Sequence, residues 1–168
     1  SWGHATWAPV RDQVDAAFAR PRARTMLHRA ATGIHPPTGF VRDLVIEGSG
    51  EHAGTLDLKG GGAGPIVAAA RYVSVLVPGT HVGTLGRLRA AATRSIIGPR
   101  EADDLSDAFD VVQSQRLRHQ AARIERGIDP DDRLRPDELS TLERRHLRDA
   151  FRLVRRAQQL LPSPVARP

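Results

Sequence analysis

Residues 140–161 carry the pattern that most restricts what this chain can become. Ser140-Thr141-Leu142-Glu143 is an S-x-x-E capping box, in which hydroxyl and carboxylate satisfy orphan backbone donors at a helix start. At 100° per residue, Leu142, Leu147, Ala150, Phe151, Val154, Ala157 and Leu161 fall within one arc. Arg144, Arg145, Arg148, Arg152, Arg155 and Arg156 fill the opposite arc. A helix with one apolar stripe gains its stability from packing that stripe on a neighbour. The neighbour is a second long helix over 99–126, opened by Gly98-Pro99 and closed by Gly127. Two such helices joined by a short loop pack antiparallel.

The other segments read as shorter helices around this pair. Residues 9–20 place Val10, Val14, Ala17 and Phe18 at helical spacing, and 22–32 do the same with Met26, Leu27, Ala30 and Ala31. Pro36-Pro37 stops helix. Residues 40–47 and 55–59 are short and β-branched or alternating around the turn-rich Gly48-Ser49-Gly50, which predicts a small hairpin. Residues 65–77 are apolar nearly all round, so that helix is expected to be central and buried. Thr84 is the expected cap of a helix over 85–94. The fold expected is therefore mainly α: a helical bundle dominated by two long antiparallel helices, with a small β-hairpin near 40–59. Residues 1–161 form one helical domain, and 162–168 are expected to be a disordered tail.

Net charge is +6, yet 24 of the 25 basic residues are Arg and one is Lys, while Asp outnumbers Glu 13 to 6. That skew matches a GC-rich coding bias, so the charge by itself is weak evidence for nucleic-acid binding. The arginine face of 140–161 lacks interleaved aromatics, which also speaks against a nucleic-acid stripe. The same skew singles out Lys59, a compact ammonium in a chain that otherwise uses guanidinium. The absence of cysteine excludes disulfides and thiolate chemistry. No apolar run approaches the ~18 residues of a membrane span.

Motifs for catalysis are thin. The glycine run 60–64 sits where phosphate loops sit, but the lysine precedes it and no Gly-Lys-Ser/Thr follows. A flexible turn is the plainer reading; free N–H groups beside Lys59 could otherwise hold an anion. Asp129-Pro130-Asp131 lies in a loop, whereas paired metal-binding carboxylates need a rigid strand. His28 and His35 each follow an Arg by six residues, a spacing of helical RNases that an Arg-rich chain reaches by chance. Arg71, alone among apolar residues of 65–77, needs a partner if buried, and Asp57 is the expected one. The pair is either a core ion pair or part of a polar cluster with Lys59.

The long helix holds an anomaly. Leu105, Ala108, Phe109 and Val112 define its inward arc, and Gln115, Arg116, His119 and Arg123 continue that arc. Leu117, Ala121 and Ile124 lie roughly 140° away. Either the helix leaves the core at 115 or polar groups line a cleft. In the second case Arg116, His119 and Gln120 are candidate binding residues.

PPTGF (36–40), GEHAGTLDLKGGG (50–62), PIVAAAR (65–71), Thr84, Arg87 and Leu88 occur in order. RLRHQ (116–120), RPDELSTLERRHLRDAF (135–151) and Gln158 complete the series. Together they resemble the nucleotidyltransferase substrate-binding domain of bacterial signalling proteins, over about residues 3–161. The resemblance implies a domain that follows a catalytic domain related to PII-uridylyltransferase, often with CBS or cyclic-nucleotide-binding modules further upstream. It implies a cytoplasmic protein whose Mg²⁺ and nucleoside triphosphate belong to the catalytic half. That half, with its Gly-Ser turn and paired carboxylates, is absent here, so the chain is expected to be a non-catalytic fragment. Gly3-His4 resembles what remains of the junction, and Arg148 stands where relatives often carry Lys. The implied partners are the upstream domain and an acceptor such as a PII-like regulator. The substrate-binding residues expected are Asp57, Lys59, Arg71, Arg87, Arg116, His119 and Gln120. A regulatory or dimerisation module without ligand, and a helical RNA-acting domain, remain the alternatives, with a homodimer left open.

Overall fold

The computed structural model describes residues 10, 12–14, 16–18, 20–37, 48–77 and 83–164. Those between 10 and 18 are helical, as expected. Helix α1 spans Pro21–Gly33, α2 Gly64–Ser74, α3 Thr84–Thr93, α4 Pro99–Glu125 and α5 Thr141–Gln159. The fold is mainly α. A two-stranded antiparallel sheet joins β1 (Leu56–Asp57) to β2 (Arg133–Leu134). β1 was expected to pair with residues 40–47. Residues 40–47 lie outside the described residues, and β1 takes its hydrogen bonds from the loop after α4.

Local chemistry explains most boundaries. Pro21 and Pro99 occupy first-turn positions, where the missing N–H is harmless. Ser140 and Glu143 form the full capping box. α3 starts one residue earlier than expected: Gly83 is the N-cap and Thr84 the first helical residue, with no side-chain cap bond. At the end of α4, Gly127 takes φ 70°. Its N–H bonds Ile124 O at 2.9 Å and the Ile128 N–H bonds Arg123 O at 3.0 Å. That is a Schellman turn, and it sends the chain back along α4.

α4 and α5 run antiparallel: Arg118 on late α4 meets Glu143 on early α5, while Leu105 borders the same pocket as Leu161. The larger core lies at the closed end of this pair. Ile66, Ala69, Tyr72 and Val73 of α2 pack there with Leu88, Ala91, Leu105, Val154 and Leu161. α2 is central, as expected, touching α1, α3 and α5. Its Arg71, however, is exposed, so the expected interior pair with Asp57 does not form. The aromatic ring at Tyr72, next along, takes the buried position instead. Its hydroxyl donates to Pro162 O at 2.6 Å, which ties the segment just past α5 to the core.

Gln158 is buried and its amide donates to Ala31 O at 2.7 Å and Ile34 O at 2.8 Å. One side chain of α5 thereby satisfies carbonyls that α1 leaves orphaned at its end.

A second, smaller core lies under the other end. Phe151 and Leu147 of α5 and Val112 of α4 meet Leu56, Leu58, Ala63, Leu134 and Leu139. The glycine run is not a flexible turn: Leu58–Ala63 forms a π-helical turn that leads into α2. Gly62 permits it, because a Cβ there would stand 3.0 Å from Val112 Cγ1 and 3.6 Å from Phe151 Cε1. A Cβ there would fit only if the Val112 methyl gave way by a few tenths of an ångström.

Candidate functional site

The polar arc of α4 neither leaves the core nor opens to solvent. The chain that turns back at Gly127 lays two carboxylates over it. Arg116 Nε donates to Asp132 Oδ1 and its NH2 to Oδ2 at 3.4 Å. Gln120 Nε2 donates to Asp132 Oδ1 at 2.8 Å. His119, 5% exposed, meets Asp131 Oδ1 through Nε2 at 2.8 Å, and its Nδ1 lies 3.6 Å from Glu138 Oε2. Arg123 NH2 reaches Asp131 Oδ2 at 3.0 Å while its Nε donates to Asp129 O at 2.8 Å. Four donors at positions i, i+3, i+4 and i+7 share one side of the helix, so one loop can engage them all.

The same loop is joined to the glycine turn. Leu58 N–H donates to Asp132 O at 2.9 Å, and β1–β2 pairing follows immediately. Asp57 Oδ1 accepts from the N–H groups of Lys59 and Gly60, at 3.1 and 2.7 Å. The amides that the sequence offered to an anion are therefore filled by the chain's own carboxylate. A Cβ on Gly60 would come 2.5 Å from Asp57 Oδ2, so the carboxylate would have to shift from its present place against these amides. Asp57 Oδ2 lies 3.4 Å from Arg133 NH2, the partner it has in place of Arg71.

Between these two segments lies a cleft of about 420 Å³, lined by His52, Asp57, Lys59, Gly60, Asp131, Asp132 and Arg133. Each oxygen of its three carboxylates faces a donor from the chain itself. Lys59 and His52 are exposed, and the Lys59 ammonium has no carboxylate partner among the described residues. The groups left to engage a ligand are thus cationic or neutral. No group of three or more His, Asp or Glu among the described residues could hold a metal ion.

Burial raises the Asp131 carboxyl. The His119 hydrogen bond, the Arg133 N–H and the charges of Arg123 and His119 together outweigh that, and the net shift is downward. Glu143 is lowered by its two bonds to Ser140, against a smaller effect of burial. A carboxylate held below its unfolded value contributes stability above that value and loses it as pH falls through the folded one. From these two carboxylates the domain is expected to lose stability in urea as pH falls below about 4. Asp131→Asn should flatten that acid limb; an unchanged pH profile would show the ion pairs contribute nothing.

Asp57 and Lys59 border the cleft, as expected of site residues. Arg116, His119 and Gln120 stand behind it, holding the carboxylates that form its wall. Arg71 is exposed on α2, and Arg87 lies on α3, which packs on the opposite half of α4 near Ala102 and Ser106. The structure does not bring these two to the cleft. His52, Asp132 and Arg133 were not singled out from sequence, and Asp131 was considered only as half of a metal-binding carboxylate pair and set aside. The signal for two of them was present: four donors on one arc demand acceptors, and the acidic run 129–132 is the first available after the helix ends.

A family model described as Putative nucleotidyltransferase substrate binding domain matches residues 21–164. The chain belongs to this family. No match is found among curated proteins or among solved structures. The match to the substrate-binding domain family begins at the first residue of α1 and ends just past α5, so both cores and the cleft lie inside it. The description pairs the domain with a nucleotidyltransferase. No helix among the described residues is long and apolar enough to cross a membrane.

Proposed function

We propose that this domain holds the acceptor substrate for a nucleotidyltransferase catalytic domain lying upstream in the same protein, and that the acceptor binds in the cleft between 57–60 and 131–133. The observation that carries this reading is the state of the cleft's carboxylates. All three are engaged from within, Asp131 and Asp132 by four side chains of α4 and Asp57 by the glycine turn and Arg133, while Lys59 and His52 remain open. Such a wall does not hold metal or move protons; it orients, and its open cation receives an anionic group of the acceptor. The domain is then non-catalytic, with Mg²⁺ and nucleotide bound by its partner. A signalling protein whose acceptor is a PII-like regulator is the setting that fits the family resemblance.

The test uses the parent protein, catalytic half included. Lys59→Ala is expected to raise the acceptor KM about tenfold or more, equivalent to ~1.4 kcal/mol, with kcat within about threefold. The 168-residue chain alone, given labelled nucleoside triphosphates and Mg²⁺, is expected to transfer nothing. An unchanged KM in Lys59→Ala removes the cleft from recognition, and transfer by the chain alone overturns the division of labour.

A further inference from the structure

We propose that the outer side of the layer formed by α1, α2 and α3 binds double-stranded nucleic acid through its phosphate backbone. The reason is a segregation of charge. Residues 99–164 hold 13 basic and 13 acidic residues, whereas residues 16–98 hold ten basic and four acidic. The net charge of +6 therefore comes from the earlier part. α1, α2 and α3 together carry six arginines and no acidic residue. A coding bias raises arginine throughout a chain. It does not clear the carboxylates from three helices and leave the rest balanced.

The fold gathers that excess. α2 lies between α1 and α3. Arg71 is exposed on the side of α2 that its neighbours leave uncovered, and Arg22 and Arg29 are exposed on α1. On α3, Arg89 borders α4 beside Asp103, while Arg87 lies about 200° around the helix from it. Arg94, just past α3, is exposed. Arg22, Arg29, Arg71, Arg87 and Arg94 have no carboxylate partner among the described residues. The arginine face of α5 is different. There Asp149 stands between Arg145 and Arg152, at 4.0 and 3.4 Å, and screens both.

What the layer lacks identifies its occupant. A protein partner needs an apolar core within the interface, and Met26 is the one large apolar residue of these three helices that is exposed. A stacked single strand needs aromatic platforms, and Tyr72 of α2 is buried. A duplex backbone needs neither: it offers regularly spaced phosphates, which guanidinium groups grip bidentately. Packed helices stand about 8–10 Å apart, so arginines on three neighbours span roughly 20 Å, enough to reach phosphates on both sides of a ~12 Å major groove. Contacts of this kind carry no sequence information. Arg71 and Arg87 lie away from the Lys59 cleft, so the proposal is independent of the acceptor reading.

Fluorescence anisotropy of a labelled DNA duplex, titrated with the 168-residue chain, tests the proposal. At physiological salt a Kd of about 1–100 μM is expected, with log K falling against log salt at a slope of about −3 to −5. Two unrelated sequences should bind within about twofold of each other. Arg71→Ala should reduce the slope by about 1. Arg71→Glu with Arg87→Glu should weaken binding about tenfold or more, with an unchanged circular-dichroism spectrum. Arg145→Glu with Arg152→Glu makes the same charge change on α5 and should stay within about threefold of the parent chain. Absence of binding at low salt overturns the proposal, and so do equal losses in the two double variants. Competition, charge for charge, by polyglutamate or by phosphatidylserine vesicles also overturns it, because the layer would then accept any polyanion.

Discussion

Phe151→Ala is expected to destabilise the domain by about 3–5 kcal/mol, the range for emptying a fully buried aromatic position. Phe151 is 0% exposed and touches both halves of the scaffold beneath the cleft. Its ring supports the π-helical turn through Gly62 on one side and packs with Val112, Leu134 and Leu147 on the others. The site cannot collapse easily, because the packed helices α4 and α5 fix the gap. In a chain of this size the expected fall in Tm is about 6–20 °C. Phe151→Leu, which keeps most of the volume, should cost less than about 2 kcal/mol. Urea denaturation followed by circular dichroism separates the two. A loss below ~1 kcal/mol for Phe151→Ala would mean that the smaller core is loosely packed. Amide exchange adds a local reading: the Leu58 N–H, bonded to Asp132 O, should lose protection first, because Leu58 packs in the same small core as Phe151.

Asp132→Ala is expected to destabilise by about 2–3 kcal/mol, because it removes the acceptor of Arg116 and Gln120 together and strands a largely covered guanidinium. The side chains of Arg116 and Asp132 are 24% and 18% exposed, so water compensates only in part. Asp132→Asn keeps an acceptor oxygen and should recover part of the loss. The decisive comparison is Arg116→Leu in the Asp132→Ala background. If the penalty is the stranded charge, the double variant is more stable than Asp132→Ala alone; if the two losses simply add, the pair is not coupled. Under the proposed function, Asp132→Ala should also raise the acceptor KM, since Asp132 forms part of the cleft wall. A variant that is destabilised but keeps its KM would separate the ion-pair network from recognition.

The helices were legible because their determinants are local. Backbone bonds in a helix close within four residues, and the signals used here—Pro21, Pro99, the Ser140–Glu143 box and Gly127—act within one turn of where they sit. The apolar arcs of α4 and α5 follow from the same short periodicity, and they predicted the antiparallel pair. The anomaly on α4 was legible too, as a polar run on an inward face, and so was Lys59 as a lone ammonium. The roles of those residues were not legible. Arg71 was assigned to the interior because its helix is apolar on most sides, yet the one face that α1, α3 and α5 leave uncovered is enough to expose it. Asp57 was matched to that arginine because a buried guanidinium needs a carboxylate, while its actual partner, Arg133, arrives on a strand from beyond α4.

Local patterning was enough to set the helical class, nearly every helix boundary, the pairing of the two long helices and the position of the polar arc. Tertiary structure alone decided that residues 131–132 close over that arc and that β1 pairs with β2. It also decided that the glycine run winds into a π-helical turn, and that Gln158 caps a helix more than a hundred residues earlier. The reason is the range of the interactions. Caps and helical periodicity are satisfied by neighbours in the chain. A buried carboxylate, an orphan carbonyl or a two-residue strand has no local preference strong enough to choose a partner, and takes the one that core packing has already carried within hydrogen-bond reach.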